Sequence, residues 1–582
     1  MADRISMQIF EKIEDLIKNF ETLEKLNIIL QEKTGINYCF RNVSDIEEFQ
    51  KFLLNFNKED ESKRHFGDFQ TPSHLTDLIC RKIAEFGYFP EIVIEPTCGK
   101  GNFVTSALKY FPSLKTVYAV DIQRKYEWQF KLNILRTSFE RKIDAKIDFH
   151  LDSIFYHEFP SDLTKNVSKK ILILGNPPWV TNTELSLLNS VNLPKKNNIK
   201  KVKGLDAITG KGNFDIAESI ITRMIQIFSN QQAKLAMLCK TSVIRNILRD
   251  MNKLGLNLSN NKSLLIDPKK EFNVNADAAL FIADIGAGIE EWCTIISLYK
   301  PKKIMRTFGK VDRRFVSNID LYKKYKYLDG RSNLEWRQGV KHDVSKVFVL
   351  TKRDNLRING LKEQVDIEDE LVYPFLKGSA LQKPVIKESE HRIVITQKTL
   401  NQDTGYIKEK YPKLWAYLTK HSKIIDKRRS VIYKNRPRFS IFGIGDYSFS
   451  PYKVAIAGMY KKANFALVYP IDRNPVMLDD TCYFLSFEDF NNAFFTWILL
   501  NSAEVENFLA SIVFLDTKRP YTKDKLSRIN LERLIKEITY QDVVKMYEEE
   551  FKQFVSHRFN RKDYDEFCLK VAPTSSETGI PL

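Results

Sequence analysis

The sequence predicts an α/β protein: one domain with a largely parallel sheet and helices on both faces, and a C-terminal domain of mixed α/β character. Three observations predict it. Between about residues 63 and 290, short apolar runs that end in Gly, Pro, Asp or Asn alternate with helix-like stretches, the pattern of βαβ units. Past about residue 300 the text turns irregular and aromatic-rich, as in RRSVIYKNRPRFSIFGIGDYSFSPYKVAIAGMY, which reads as a mixed or mostly β module. A chain of 582 residues also exceeds what one hydrophobic core ordinarily organises.

Taken in order, residues 1–62 read as a helical N-terminal extension, because Ile9, Ile13, Leu16, Ile17, Phe20, Leu23 and Leu26 recur at helical spacing opposite a polar face. Residues 63–300 form the α/β domain, with strands expected in EIVIE, TVYAVD, KIDFHL, ILILG, AKLAMLCK and LFIADIG. Residues 301–570 form the second domain, closing with helices from about Phe487 to Phe559. Residues 571–582 read as a loose tail.

Composition bounds the partners. Lys and Arg number 91 against 73 Asp and Glu, a formal charge of +18, which favours a polyanion such as nucleic acid. A Lys- and Asn-rich genome produces the same surplus, so basicity supports an argument without making one. The seven Cys are scattered with no CxxC pair, which points to a reducing compartment and away from structural zinc. No apolar run approaches the roughly 20 residues of a membrane span, so a soluble cytoplasmic protein is expected.

The expected strands end in chemistry. Glu95 closes the first and runs into ProThrCysGlyLysGlyAsnPhe, where Gly99 and Gly101 permit a tight turn and close backbone approach to a ligand. Asp121 and Asp152 close the second and third, and an acid at the second tip is the usual partner of ribose hydroxyls in nucleoside-binding α/β folds. Each carboxylate taken singly is equally a helix cap or turn residue. The fourth strand ends in GNPPW, with Asn176, Pro177, Pro178 and Trp179. Asn-Pro-Pro is also good turn chemistry and a Trp is often core, but the position at a fourth acidic or amide-bearing tip favours a site.

Together these segments resemble the class I S-adenosylmethionine-dependent methyltransferases, and within them the DNA adenine-N6 methyltransferases of bacterial restriction-modification systems. The catalytic motif of that group is Asp/Asn-Pro-Pro-aromatic. The order FQTP, Gly-rich turn, NPPW and distal recognition domain is that of its gamma class. The resemblance implies S-adenosylmethionine as cofactor, with no metal, bound by Phe69, Thr71, Pro72, Glu95, Thr97, Gly99, Gly101, Asn102, Phe103, Asp121, Ile122, Asp152, Ser153 and Asn176. It implies that the Asn176 and Pro177 carbonyl oxygens accept both N6–H bonds of adenine, while Trp179 and Phe272 stack on a base that has left the duplex. Asp215, in GNFDIAES, resembles a cofactor-pocket residue or is a first-turn helix acid.

Double-stranded DNA is the expected partner, read by the second domain, where WRQGVKHDVSKVF and LVYPFLKGSAL resemble segments of specificity domains. Candidate phosphate contacts are Lys195 and Lys196 after the catalytic motif, and Arg428, Arg429, Lys434, Arg436 and Arg438 among distal aromatics. A separately encoded restriction endonuclease and action as a monomer are further expectations. Rival readings stand beside this one. The same motif suits an RNA base, cytosine N4 or a glutamine amide, each a planar NH₂. A bifunctional enzyme would need a nuclease that 60 helical residues do not hold. A DNA-binding protein without catalysis would not need an intact Asn176 and Gly99/Gly101.

Overall fold

The computed structural model describes residues 21–55, 70–165, 169–180, 215–300, 303–353 and 356–572, with residues 15 and 17. Phe69, Lys195, Lys196 and most of the expected tail lie outside the described residues. The chain divides into two compact units, Met1–Phe315 and Val316–Leu582.

The first unit is organised by a ten-stranded sheet ordered β3-β2-β1-β4-β5-β7-β6-β8-β9-β10. The strands are β1 Ile92–Glu95, β2 Thr116–Asp121, β3 Lys146–Leu151, β4 Ile171–Gly175 and β5 Ala233–Lys240, all parallel to their neighbours in this set. Then come β6 Leu258–Leu265, β7 Ala278–Ile285, β8 Trp292–Ser297, β9 Ile304–Val311 and β10 Arg314–Val316, with β7 antiparallel to both β5 and β6. Every residue of β1 and β4 is buried, as parallel strands covered on both faces require. The chain steps outward from β1 to β2 to β3, then returns to lay β4 on the other side of β1. Strand order reverses there, and the carboxyl ends of β1 and β4 open a crevice at the switch point.

The remaining elements of this unit brace the sheet. Helices Leu23–Thr34 and Val43–Asn55 belong to the expected extension, and the chain between them docks on the outer edge of β3. Ile147 N–H donates to Gly35 O at 2.7 Å and Asn37 N–H donates to Ile147 O at 3.0 Å, which covers an edge that would otherwise offer unpaired backbone groups. Strand β6 was not among the expected strands. Its sequence LSNNKSLL has a polar middle, because a bulge between Ser259 and Lys262, with Asn260 at φ 53°, lifts those residues out of register. Strand β8 was likewise not expected, and β9 and β10 continue the sheet beyond the composition change near residue 300.

The second unit holds two five-stranded sheets, ordered β11-β20-β17-β18-β15 and β13-β12-β16-β14-β19. Their strands are β11 Arg337–Gln338, β12 Val349–Arg353, β13 Leu356–Asn359, β14 Val372–Leu376, β15 Val385–Ile386, β16 His391–Val394, β17 Tyr452–Ala457, β18 Phe465–Val468, β19 Met477–Leu478 and β20 Cys482–Phe487. Helix Phe490–Leu500 is buried from Ala493 to Leu500, and Phe494 sits against Tyr547, His557 and Phe559. The mixed α/β character expected for this region is the observed one. Among the described residues no helix is long and apolar enough to cross a membrane.

Candidate active site

The turn after β1 is built by its two glycines. Gly99 and Gly101 have φ of 51° and 78°, a region that costs any residue with a Cβ. A Cβ on Gly99 would stand 2.5 Å from Gln70 Oε1, and one on Gly101 would stand 2.6 Å from the Phe130 ring. The turn is tied from both sides. Lys100 N–H donates to Gln70 Oε1 at 3.1 Å, Asn102 Nδ2 donates to Thr71 O at 2.7 Å and Asn133 Nδ2 donates to Lys100 O at 2.8 Å. Residues 70–72 therefore line the Gly-rich turn, with Pro72 opening helix Ser73–Glu85.

Three acids stand at the tips of β1 to β3 in different states. Glu95 is 2% exposed, and burial, with Asp121 nearby, raises its carboxyl well above the usual carboxylate range. One of its oxygens, Oε2, has no hydrogen-bond partner among the described residues, and neither does Thr97 Oγ1 in the same turn. Asp121 accepts from Gly99 N–H at 2.9 Å through Oδ2 and from Gln123 N–H at 2.8 Å through Oδ1, so it braces the glycine turn as well as marking the tip. Asp152 is half exposed and accepts from Ser153 N–H at 2.7 Å. Its hydrogen bond with His157 Nδ1, at 2.8 Å, holds its carboxyl below the usual range. Beside Asp121 the apolar Ile122 is 44% exposed, an uncovered face of the kind that a planar ring covers. Phe103 lies the other way, buried at 2% in helix Asn102–Tyr110.

Across the switch point, β4 delivers Asn176. Glu95 Cγ lies 3.4 Å from where a Cβ on Gly175 would be, so the tips of β1 and β4 touch. Asn176 Nδ2 donates to Thr71 Oγ1 at 3.2 Å, which sets the amide with its nitrogen toward the residue 70–72 segment. Trp179 is 5% exposed and meets Phe272 edge to face, ring centroids 5.2 Å apart at 71°. Phe272 ends the short helix Pro268–Phe272, and its neighbour Glu271 accepts from Tyr299 OH at 2.8 Å and is hydrogen-bonded to His74 Nε2 at 2.6 Å. Asp215 accepts from Ala217 N–H at 3.0 Å as the cap of helix Ile216–Ile227 and pairs with Lys240 Nζ at 2.8 Å; burial raises its carboxyl and Lys240 pulls it down.

Sequence similarity now identifies the family. No family model matches the chain. The type II methyltransferase M.NspV of Nostoc sp. is 41% identical over 484 residues, which is 82% of this chain and 99% of that protein. The chain belongs to the type II DNA methyltransferases of restriction-modification systems. A second type II methyltransferase, M.CvrRI of Paramecium bursaria Chlorella virus XZ-6E, is 27% identical over 135 residues, 23% of this chain and 28% of its own. Among solved structures, the type IIL restriction-modification enzyme MmeI, in complex with DNA, aligns over 90% of this chain and 73% of its own at 11% identity, with a TM-score of 0.45. The type IIG restriction endonuclease BpuSI aligns over 91% and 68% at 13% identity, with a TM-score of 0.37.

In this methyltransferase the expected site residues of β1 to β4 are gathered at one sheet edge, and several contacts were invisible in sequence. Gln70 stood out only as part of FQTP and His157 and Lys240 not at all, although a Lys finishing the apolar run AKLAMLC was a usable signal. The basic distal segment needs a correction. Arg428 was expected at phosphates, but Nε donates to Ile425 O at 3.1 Å, Nη1 donates to Ser440 O at 2.6 Å and the guanidinium lies 3.8 Å from the Tyr433 ring centre. Arg438 pairs with Asp426 at 2.9 Å and Arg436 is bonded to Asn401. Arg429 and Lys434 stand exposed.

Proposed function

We propose that this methyltransferase transfers a methyl group from S-adenosylmethionine to the N6 amino group of an adenine turned out of duplex DNA. The observation that carries the reading is Asn176-Pro177-Pro178-Trp179 at the tip of β4, against buried Glu95 on β1 and with Trp179 meeting Phe272. The donor set fits the cofactor. Buried Glu95 Oε2 and Thr97 Oγ1, which have no partner among the described residues, suit an ammonium and a hydroxyl, Asp121 and Asp152 suit ribose and base donors, and exposed Ile122 suits the face of a purine. S-adenosylmethionine, when bound, supplies an electrophilic methyl group.

The chain's own residues then orient the amine. Asn176 Oδ1 and the Pro177 carbonyl accept its two N–H bonds, which holds the nitrogen with its lone pair turned toward the donor. Pro177 and Pro178 carry no N–H of their own, so no backbone donor at those positions competes for the acceptors. Thr71, by receiving Asn176 Nδ2, turns the amide oxygen to the substrate side. Trp179 and Phe272 offer two aromatic faces, and a base entering between them has to part the edge-to-face pair. Rate then comes from positioning in a site that excludes water. On the same reading Val316–Leu582 reads the target sequence, a separately encoded endonuclease performs restriction, and the enzyme acts as a monomer.

The test is methyl transfer from labelled S-adenosylmethionine to unmodified bacterial DNA, followed by identification of the modified nucleoside and sequencing of the modified sites. N6-methyladenine at one recurring sequence is expected. N4-methylcytosine, or label in RNA or protein alone, would overturn the adenine assignment.

A further inference from the structure

We propose that Lys240 is a positioning residue for the target base, fastening the backbone of Trp179 so that its ring stays against Phe272. The inference rests on the reading of Trp179 as a stacking face. Lys240 is the last residue of β5, and the parallel pairing of β4 with β5, which sets Gly175 beside Met237, brings its side chain to the chain segment that leaves β4. The rest of β5 is apolar and buried apart from Lys234, so a cation at this end is unexplained by the core.

Among the described residues its ammonium makes two bonds. Nζ donates to the Trp179 carbonyl oxygen at 2.9 Å and to Asp215 Oδ2 at 2.8 Å. Next to them Ile216 N–H donates to Val180 O at 2.9 Å. Residues 179–180 and 215–216 are thereby joined at one place, with a charge-assisted bond to the residue whose ring has to hold still. Phe272 is held independently on its own side, through Glu271 with Tyr299 and His74. Each ring of the pair has its own polar anchor, and Lys240 is the anchor of Trp179.

A purely structural alternative is that Lys240 only neutralises part-buried Asp215. Lys240→Met combined with Asp215→Asn separates the two, because the double variant keeps a side chain that can cap the helix and removes the part-buried charge, yet takes the Lys240 bond away from the Trp179 carbonyl. Steady-state transfer to a duplex carrying the mapped target would be measured for Lys240→Met, for the double variant and for both in a Trp179→Ala background, with cofactor binding by titration as the folding check. The expected result is a loss of about tenfold in kcat/KM for DNA in Lys240→Met and in the double variant, with cofactor affinity kept, and little further loss when Trp179 is already Ala. Full recovery in the double variant, or an equal loss in both backgrounds, would overturn the proposal. Undiminished turnover of Trp179→Ala itself would overturn the stacking reading and this proposal with it, which marks the two failures apart.

Discussion

The two units of the chain bury charge differently, although the first also buries a cation, Lys131, which is paired with Glu127 at 2.6 Å. In the first, carboxylates go inside at the strand tips, with Glu95 and Asp121 at 2% and 7% exposure; in the second, cations do, with Lys453 at 1% and Arg392 at 8%. Burial raises the Glu95 carboxyl and lowers the Lys453 ammonium to about 7. The partners differ. Among the described residues Glu95 keeps an oxygen without a partner beside a glycine turn, whereas Lys453 donates to Ser450 O at 2.7 Å and Arg392 to Ser389 O, His391 O and Asp472. Arg428 is spent in the same way. A polar group left over at a strand tip is an invitation to a ligand, while a cation wrapped by carbonyls is a loop fastener, and a net charge of +18 counts both kinds alike.

The largest effect expected is at the strand tips. Asn176→Ala should cut kcat by about 10²–10³-fold, the scale for losing one preorganised polar group at a reacting centre, with cofactor affinity little changed by titration. A variant that keeps transferring methyl groups would break the first half of the comparison. Lys453 tests the second half. Its folded-state value lies below that of the unfolded chain, so the unfolded state binds more protons between about pH 7 and 10 and the protein gains stability as pH rises through that window. Lys453→Met should therefore be more stable than the parent by about 1–4 kcal/mol at pH 7, and the gap in melting temperature should close as the pH approaches 10.

Trp179→Ala should cost about 1–3 kcal/mol of base stacking, read as weaker kcat/KM for DNA with cofactor binding retained. Arg428→Ala should destabilise the folded protein by about 1–3 kcal/mol, because the Ile425 and Ser440 carbonyls lose their donor, and denaturant unfolding reads this directly. The smallest effects sharpen the contrast with exposed neighbours. Arg429→Ala and Lys434→Ala should leave stability within about 0.5 kcal/mol. Each that contacts a phosphate should lower the slope of log affinity against log salt by about one. A destabilised Arg429→Ala, or an Arg428→Ala that weakens only DNA binding, would reverse the assignment of the two arginines.

Legibility in the sequence followed the same division. The tips of β1, β2 and β4 were readable because a buried parallel strand is a continuous apolar run whose end is marked by a polar residue, here Glu95, Asp121 and Asn176, whereas β3, KIDFHL, is only partly buried, carries Asp148 and His150 within it and is followed by Asp152. Strand β6 was not, since its bulge puts Asn260 and Asn261 where alternation expects apolar residues. Asp121 was readable as a tip acid but not as the acceptor of Gly99 N–H. In RRSVIYKNRPRFS the spacing of basic and aromatic residues does not distinguish Arg428, folded back on Tyr433, from Arg429, which faces solvent.

The sequence by itself determined the α/β class, the order of the strand tips and the residue types they carry, because periodicity and strand ends are local properties of the chain. Tertiary structure alone decided the pairings across long separations: Thr71 with Asn176, Lys240 with the Trp179 carbonyl, Trp179 with Phe272, and Arg428 with Ser440. A hydrogen bond needs two atoms about 3 Å apart, and only the packed fold sets that distance for residues far apart along the chain.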